Sequence, residues 1–376
     1  MVPTALSQLI EQTIRVIIIV GVAVGATHAG WSLYRIGSWS LFAGAIGAFC
    51  ALLFFKDFFS QLLRLKVPPL ETTLFKKLLR GLFSEGLVIC LYSALLVLLQ
   101  LIDSFTLKNA LEAAGNNPPA LAKSLKGGVY DRAQPLLQLG LVLSLSFSAS
   151  LMPLLSRKSI RHTAEYQQTL ELAFRICATV ATAASVGMFV LMPAINEALF
   201  GNRQGTWALG VAAFSVIAAS LIILMNSVLQ SRGQYVKTIG TLILIVSLKA
   251  ATNYLFVYWW GGLSGASFSS VLSLSGGLLF SRLMLSSEGL RDFLSVAFCG
   301  RIFICLAFLA LSAWGGLAAG AAVFLGDGRW ASFMQCVLGA AGGAGVFALL
   351  ARKLQLFSTA EWLEFPGGRI IVKLFK

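Results

Sequence analysis

Residues able to do polar chemistry are few in this sequence, and most of them stand inside or beside long apolar runs. Tyr130, Asp131 and Arg132 are followed by Gln134, Pro135 and Gln138, with Ser144, Ser146, Ser148 and Ser150 beyond. A helix with a carboxylate and a guanidinium at its mouth and hydroxyls along its length is expensive facing lipid. It suits the wall of a polar vestibule. The planar fork of an arginine also grips phosphate oxygens. The plainer alternative is an Asp131–Arg132 cap at headgroup level. Near the N-terminus Thr4, Gln8, Glu11 and Arg15 recur at helical spacing on one face. Glu11 four residues before Arg15 is the favourable order for an ion pair within a helix. That face either looks into a wet cavity or carries a paired arginine snorkelling to the inner surface. Glu171 and Arg175 repeat the spacing and read as a structural pair. Asp103 and Asn253 offer oxygens for a cation, although two such residues fall short of a coordination set. Lys249 shares a helical face with Asn253.

No catalytic set accompanies these groups. The sequence holds no GxSxG, Walker loop or HExxH, and no two carboxylates are placed to work across one site, so an enzyme is not expected. The histidines are His28 and His162 alone, and the six cysteines show no CxxC spacing, which argues against a transition-metal site or a disulfide framework. No metal and no cofactor is expected. The candidate carboxylates inside apolar runs are Glu11, Glu85, Asp103 and Asp131.

The elements that must position these residues follow from composition. Of 376 residues, 57% are hydrophobic and 12% charged, and the mean hydropathy is +0.83. Soluble domains carry about 25% charged residues. The balance therefore excludes an ordinary soluble enzyme, a disordered chain and a nucleic-acid binder working in water. A helix needs about 20 mostly apolar residues to cross a bilayer. Ten runs meet that rule, near 5–26, 37–55, 82–103, 130–152, 171–193, 207–228, 236–256, 263–281, 300–321 and 331–350. The runs are too long for barrel strands. The expected fold is all-α, a polytopic transmembrane helix bundle of about ten spans.

Charge tests the count. With the N-terminus in the cytoplasm, 19 of the 29 basic residues fall on the inner side, 6 on the outer side and 4 within spans. That bias fits the positive-inside rule with both termini cytoplasmic. Segment 56–80 concentrates six basic residues among leucines. It reads as an amphipathic connector gripping anionic lipid along the inner leaflet, or as a solvated link between bundles. Gly21/Gly25, Gly44/Gly47, Gly276/Gly277 and the glycines of 339–345 would allow close helix approach. Pro135, Pro153 and Pro193 fall at or near expected span ends. Trp259, Trp260, Tyr254 and Tyr258 read as an interfacial aromatic belt.

The run Gly-Val-Tyr-Asp-Arg-Ala-Gln-Pro-Leu-Leu-Gln-Leu-Gly over 128–140, continuing to Ser-Ala-Ser-Leu-Met-Pro over 148–153, resembles the eighth span of MurJ-like lipid II flippases. The likeness is greatest to the stage V sporulation protein B and polysaccharide-exporter branch of the MATE-like superfamily. Residues 2–16 resemble that branch's fifth span. Residues 229–233, 249–253 and 262–266 are similar to its tenth-to-twelfth-span region. The resemblance implies a two-lobe architecture that begins here at span five of about fourteen, lacking the first four helices. A longer reading frame or a partner chain would supply them. It divides the chain into a first-lobe remnant over 1–67, a second six-helix lobe over 68–290, and two additional spans with a cytoplasmic tail over 291–376.

The implied activity is transport. An undecaprenyl-pyrophosphate-linked sugar such as lipid II, or another lipid-linked oligosaccharide, would move from the inner to the outer leaflet of a bacterial cell membrane by alternating access. The expected substrate-binding residues are Arg132, Asp131, Arg15, Glu11, Gln134 and Gln138, with the pyrophosphate on Arg132 and then Arg15. Asp103 and Asn253 form the expected ion-binding pair. An interior-negative potential favours outward movement of negative charge by about 2.3 kcal/mol per charge per 100 mV. Expected partners are the lipid-linked substrate and anionic membrane lipids, with no nucleic acid. The alternatives are a cation-coupled multidrug exporter, which needs carboxylates free to take cations, and a non-transporting scaffold in envelope or spore biogenesis. A membrane glycosyltransferase is disfavoured by the lack of long acidic loops.

Overall fold

Helices account for nearly all of the computed structural model, which describes residues 2–56, 60, 72–115, 118–142, 146, 164–286, 295–324, 328–358 and 361. The chain divides into two compact units, Met1–Arg80 and Gly81–Lys376. The expected boundaries at 67/68 and 290/291, and most of the 56–80 connector, lie outside the described residues.

In the first unit α1 (Val2–His28) and α2 (Leu33–Phe54) pack as a hairpin. Gly30 adopts a left-handed φ of 68°, which lets the amide of Trp31 return to the Ala26 carbonyl at 2.9 Å and closes the end of α1. The Ser32 side chain then caps α2. A Cβ on Gly47 would stand 2.8 Å from the Glu11 carbonyl, so this glycine sets how closely the two helices approach. Gly21, Gly25 and Gly44 have nothing within 4 Å of an added Cβ among the described residues. The expected close approach is therefore made at Gly47 and not at the GxxxG.

The second unit opens with α3 (Thr72–Ser93), whose first turns belong to the preceding unit, and α4 (Leu95–Gly115). The span expected at 82–103 straddles their junction at Ala94, where the axis bends by 65°. Just before it, the Ser93 hydroxyl donates to the Ile89 carbonyl at 2.8 Å, a back-bond that bends helices. Next come α5 (Pro119–Gly128), a 3-10 turn (Tyr130–Arg132) and α6 over 133–142, with Pro135 in its first turn. The remainder of the 130–152 span, including Ser144, Ser148 and Ser150, lies outside the described residues apart from Ser146, as does Pro153.

Six longer helices follow, with one short one: α7 (Ala164–Phe200), α8 (Thr206–Ala213), α9 (Ser215–Ser231), α10 (Tyr235–Trp260), α11 (Leu263–Ser286) and, after residues 287–294, α12 (Val296–Val323) and α13 (Arg329–Lys353). Pro193 does not end a span: α7 runs past it to Phe200. Neighbouring helices can satisfy the backbone groups a proline frees inside a membrane bundle. Eight helices are long and apolar enough to cross a membrane, nine if the bent α3–α4 pair forms one span, counted among the described residues.

Sequence explains which helix sits at the centre. The 206–231 stretch is apolar all round, and a helix of that kind is buried on every side. Val216, Ala219, Ile222, Leu224, Val228 and Leu229 are each at most 1% exposed. α11 lies beside it although its composition is serine-rich. Gly277 faces Ile245 and Gly276 faces Leu248 of α10 with no room for a side chain. The hydroxyls of Ser267, Ser270 and Ser273 donate to carbonyls in place of water. α12 and α13 meet through backbone, Gly316 against Gly339. The outward faces carry Tyr34, Phe83, Phe303, Trp314 and Trp330, all exposed, as a lipid-facing surface requires. Trp259, Trp260, Tyr254 and Tyr258 are exposed at the end of α10, where the belt was expected.

Candidate functional site

Two buried helix stripes meet at a polar cluster in the second unit, with α11 beside them. On α4 the buried face runs Leu95, Leu99, Asp103, Leu107, Ala110 and Leu111. On α10 it runs Thr238, Thr241, Leu242, Ile245, Lys249, Asn253 and Val257. Asp103, Lys249 and Asn253 thus stand at positions whose helical spacing sends them inward. Gly265 of α11 lies directly against the Phe256 backbone. The close approach made there puts the next residue's carbonyl, that of Ala266, within reach of α10.

The Lys249 ammonium, wholly buried, sits 2.8 Å from Asp103 Oδ1. It also donates to Asn253 Oδ1 at 3.0 Å, to the Ala266 carbonyl at 3.0 Å and to Ser270 Oγ at 2.8 Å. The Asn253 amide nitrogen donates to Asp103 Oδ1 at 2.9 Å and to Thr106 Oγ1 at 2.6 Å, which turns its oxygen toward the ammonium. Tyr130 Oη stands 3.5 Å from Ser270 Oγ. Asp103 and Asn253 therefore meet as expected, but around a lysine of the same chain.

A cavity of about 40 Å³ adjoins this cluster, lined by Gln100, Asp103, Tyr130, Asp131, Gln134, Ser215 and Ser270 among apolar neighbours. That is room for two or three waters, not for a sugar or a pyrophosphate. Asp131 Oδ1, Gln134 Nε2 and Ser215 Oγ are buried with no hydrogen-bond partner among the described residues, so the cavity wall offers both donors and acceptors.

The remaining site candidates part company. Asp131 and Arg132 do not cap each other. Asp131 Oδ2 takes the Lys126 ammonium at 2.9 Å. Arg132 turns the other way: Nη1 donates to Asn196 Oδ1 at 3.0 Å and Asn202 Oδ1 at 2.8 Å, and Nε to the Gly128 carbonyl at 2.6 Å. Its guanidinium stacks 4.8 Å over the Phe200 ring. Among the described residues Nη2 donates to none. Gln138 is exposed and does not line the cavity. In the first unit Arg15 is exposed and Glu11 half-buried, and no ion pair joins them among the described residues. Both side chains reach water or headgroups more cheaply than each other.

Glu171 is exposed, and Arg175 pairs instead with Glu361 at 3.3 Å. It also donates to the Leu356 carbonyl at 2.6 Å and stacks on Phe298 and Phe357. Glu85 accepts from Tyr235 Oη at 3.2 Å. Sequence reasoning missed Lys249 as the hub and Asn196 and Asn202 as the holders of Arg132. A lysine four residues before an asparagine in an apolar stripe was the available signal for the first, while nothing local marked the asparagines. A second cavity, apolar and about 570 Å³, lies on α7, α8 and α12 and is lined by Phe189, Val190, Pro193, Trp207, Leu311 and Trp314.

Helices of membrane length and apolar composition, with outward apolar faces, define a polytopic integral membrane protein. The chain belongs to the polysaccharide biosynthesis protein family: a relative 30% identical is matched over 70% of its length, and the model described as "Polysaccharide biosynthesis protein" matches residues 1–159. It is 30% identical over 387 residues to "Uncharacterized membrane protein YabM" of Bacillus subtilis (strain 168), across all of this chain and 70% of that one. Its fold is similar to a solved "Lipid II flippase MurJ, inward closed conformation", with a TM-score of 0.54 and 13% identity over 92% of this chain and 67% of the other.

Proposed function

We propose that the chain takes part in flipping an undecaprenyl-pyrophosphate-linked sugar, such as lipid II or another cell-wall or polysaccharide precursor, from the inner to the outer leaflet of a bacterial cell membrane. It acts as a transporter and not as an enzyme, with both termini cytoplasmic. The observation that carries this reading is the family match over residues 1–159; beside it, a small polar pocket in the second unit holds atoms of Asp131, Gln134 and Ser215 that have no partner among the described residues. Such groups are costly in a membrane protein unless a polar passenger or water meets them. Arg132, next in sequence to Asp131 and held rigidly by two asparagines, offers Nη2 to phosphate. Glu11 and Arg15, and separately Gln138, are further proposed substrate contacts. The apolar cavity on α7, α8 and α12 suits a prenyl tail. The alternative of a cation-coupled exporter needs a carboxylate free to take a cation, and Asp103 already holds Lys249.

The test is translocation of a fluorescent undecaprenyl-pyrophosphate sugar in proteoliposomes holding the full chain. The expected result is transport that falls at least about tenfold in Arg132→Ala, the loss of roughly one charge-assisted hydrogen bond. Transport unchanged by that substitution removes Arg132 from the substrate path. No transport of any lipid-linked sugar by the wild type overturns the reading.

A further inference from the structure

We propose that the segment after α13 is a releasable strap: its hold on Arg175 keeps the α12–α13 hairpin shut against α7, and letting go parts α12 from α7 along an apolar seam. The hairpin is a rigid pair, because its two helices meet through backbone at Gly316 and Gly339. Among the described helices it packs chiefly on α7. Near the start of α12 the seam is apolar, where Ile176 and Val180 of α7 cluster with Ile302 and Cys305 of α12. Further along it is no longer filled and becomes the cavity of about 570 Å³ between Phe189 and Pro193 on α7 and Leu311 and Trp314 on α12. Apolar packing gives helices little reason to stay together when lipid is the solvent, and unfilled space forfeits contact as well. The polar fastenings at the ends of the seam therefore decide whether it stays closed.

At one end the fastening is the strap. α13 closes in a turn whose Gln355 takes a left-handed φ of 49°, so that the Leu356 amide returns to the Ala351 carbonyl at 2.9 Å. The turn buries Leu356 and Phe357 in the same apolar cluster. Arg175 of α7 then grips the strap: Nη2 donates to the Leu356 carbonyl at 2.6 Å and Nη1 to Glu361 Oε1 at 3.3 Å, while the guanidinium stacks on Phe298 and Phe357. Glu361 is aimed by its neighbour. Its Oε2 accepts from the Ser358 amide at 2.6 Å, and its own amide donates to Ser358 Oγ at 3.3 Å, a capping box. Arg301 of α12 donates to the Gln355 carbonyl at 3.2 Å. At the other end the Arg329 side chain of α13 lies against Gly201, just past α7. Two features mark the strap as the end that lets go. A left-handed backbone at a residue other than glycine is strained and persists only while its surroundings hold it. The Arg175–Glu361 pair is partly exposed, so water and salt compete for it. The inference does not depend on which substrate the chain carries.

The experiment puts spin-label pairs on the full chain in lipid vesicles, with no cysteine other than the labelled ones. One pair spans the seam, Glu171→Cys on α7 with Val296→Cys at the start of α12, both exposed positions. A control pair, Glu171→Cys with Val236→Cys on α10, leaves the hairpin out. Distance distributions are measured by pulsed electron resonance with the strap intact, with Arg175→Ala and with Glu361→Gln. With the strap intact the seam pair should give one short distance and a minor longer one. Arg175→Ala should raise the longer population at least about tenfold. Glu361→Gln, which spares the stacks and the Leu356 bond, should raise it about threefold. Added salt should raise it with the strap intact and leave Glu361→Gln where it was. The control pair should keep one distance throughout. A seam distance that is the same in all three backgrounds overturns the proposal. So does a control pair that spreads as much as the seam pair, since the tail would then only brace the fold. Should Arg175→Ala not be recovered folded, Glu361→Gln with the salt series decides by the same criteria.

Discussion

Lys249 and Asp103 sit where a lone charge would be stranded, so each depends on the other. Breaking a buried pair from one side costs about 3–5 kcal/mol, while replacing both partners with apolar groups is often neutral. Asp103→Asn and Lys249→Met should each lower stability by about that amount, and the pair Asp103→Leu with Lys249→Met should recover most of it. Denaturant melts in detergent read this as a double-mutant cycle. Arg175 gives a contrasting case. Its partner Glu361 is partly exposed, so Glu361→Gln should cost at most about 1 kcal/mol. Arg175→Ala should cost more, because it also removes two aromatic stacks and the Leu356 hydrogen bond. A thermal melt that ranks the two the other way contradicts this. At this scale the sequence offered Asp103 and Asn253 as two oxygens for a cation. The hydrogen bond between them spans 150 residues, and no local pattern reports a contact of that range. The Glu171–Arg175 and Glu11–Arg15 pairs erred for the opposite reason, since spacing allows a pair but cannot see a better partner elsewhere.

Helices were legible wherever about 20 apolar residues ran without interruption, because bilayer thickness and backbone hydrogen bonding leave no other solution. The exceptions are instructive. The 82–103 run is apolar enough on average to read as one span, yet its axis bends at Ala94, and hydropathy is blind to direction. Pro193 looked like a terminus because in water it would be one. Glycines separate just as clearly once packing is known. Gly265 abuts the Phe256 backbone, whereas Gly21 faces open space. Gly265→Ala should therefore destabilise by about 1–3 kcal/mol through overpacking, and Gly21→Ala should stay within about 0.5 kcal/mol. Thermal unfolding of the two variants side by side checks this. Equal effects would mean that α10 and α11 do not meet as closely as described.

Across the whole molecule, the composition that excluded a soluble enzyme also anticipated the exposed apolar surface, since a bundle solvated by lipid has no reason to hide its leucines. The proposed orientation can be read from single-cysteine labelling on a cysteine-free background. Positions in the 232–237 and 291–301 segments should react with an impermeant maleimide only after the inner face is opened, and positions in 201–205 should react from outside. The reverse pattern would invert the topology. Within the second unit, polar ties fasten neighbouring helices: Ser267 to the Ala208 carbonyl, Thr252 to Ser269, Asn226 to Tyr92, and Lys249 of α10 to both α4 and α11. Shearing one of these rods past the next would strand donors and acceptors in hydrocarbon. The riveted quartet of α4, α8, α10 and α11 therefore travels as a single piece, and any change of shape in this unit pivots about its rim.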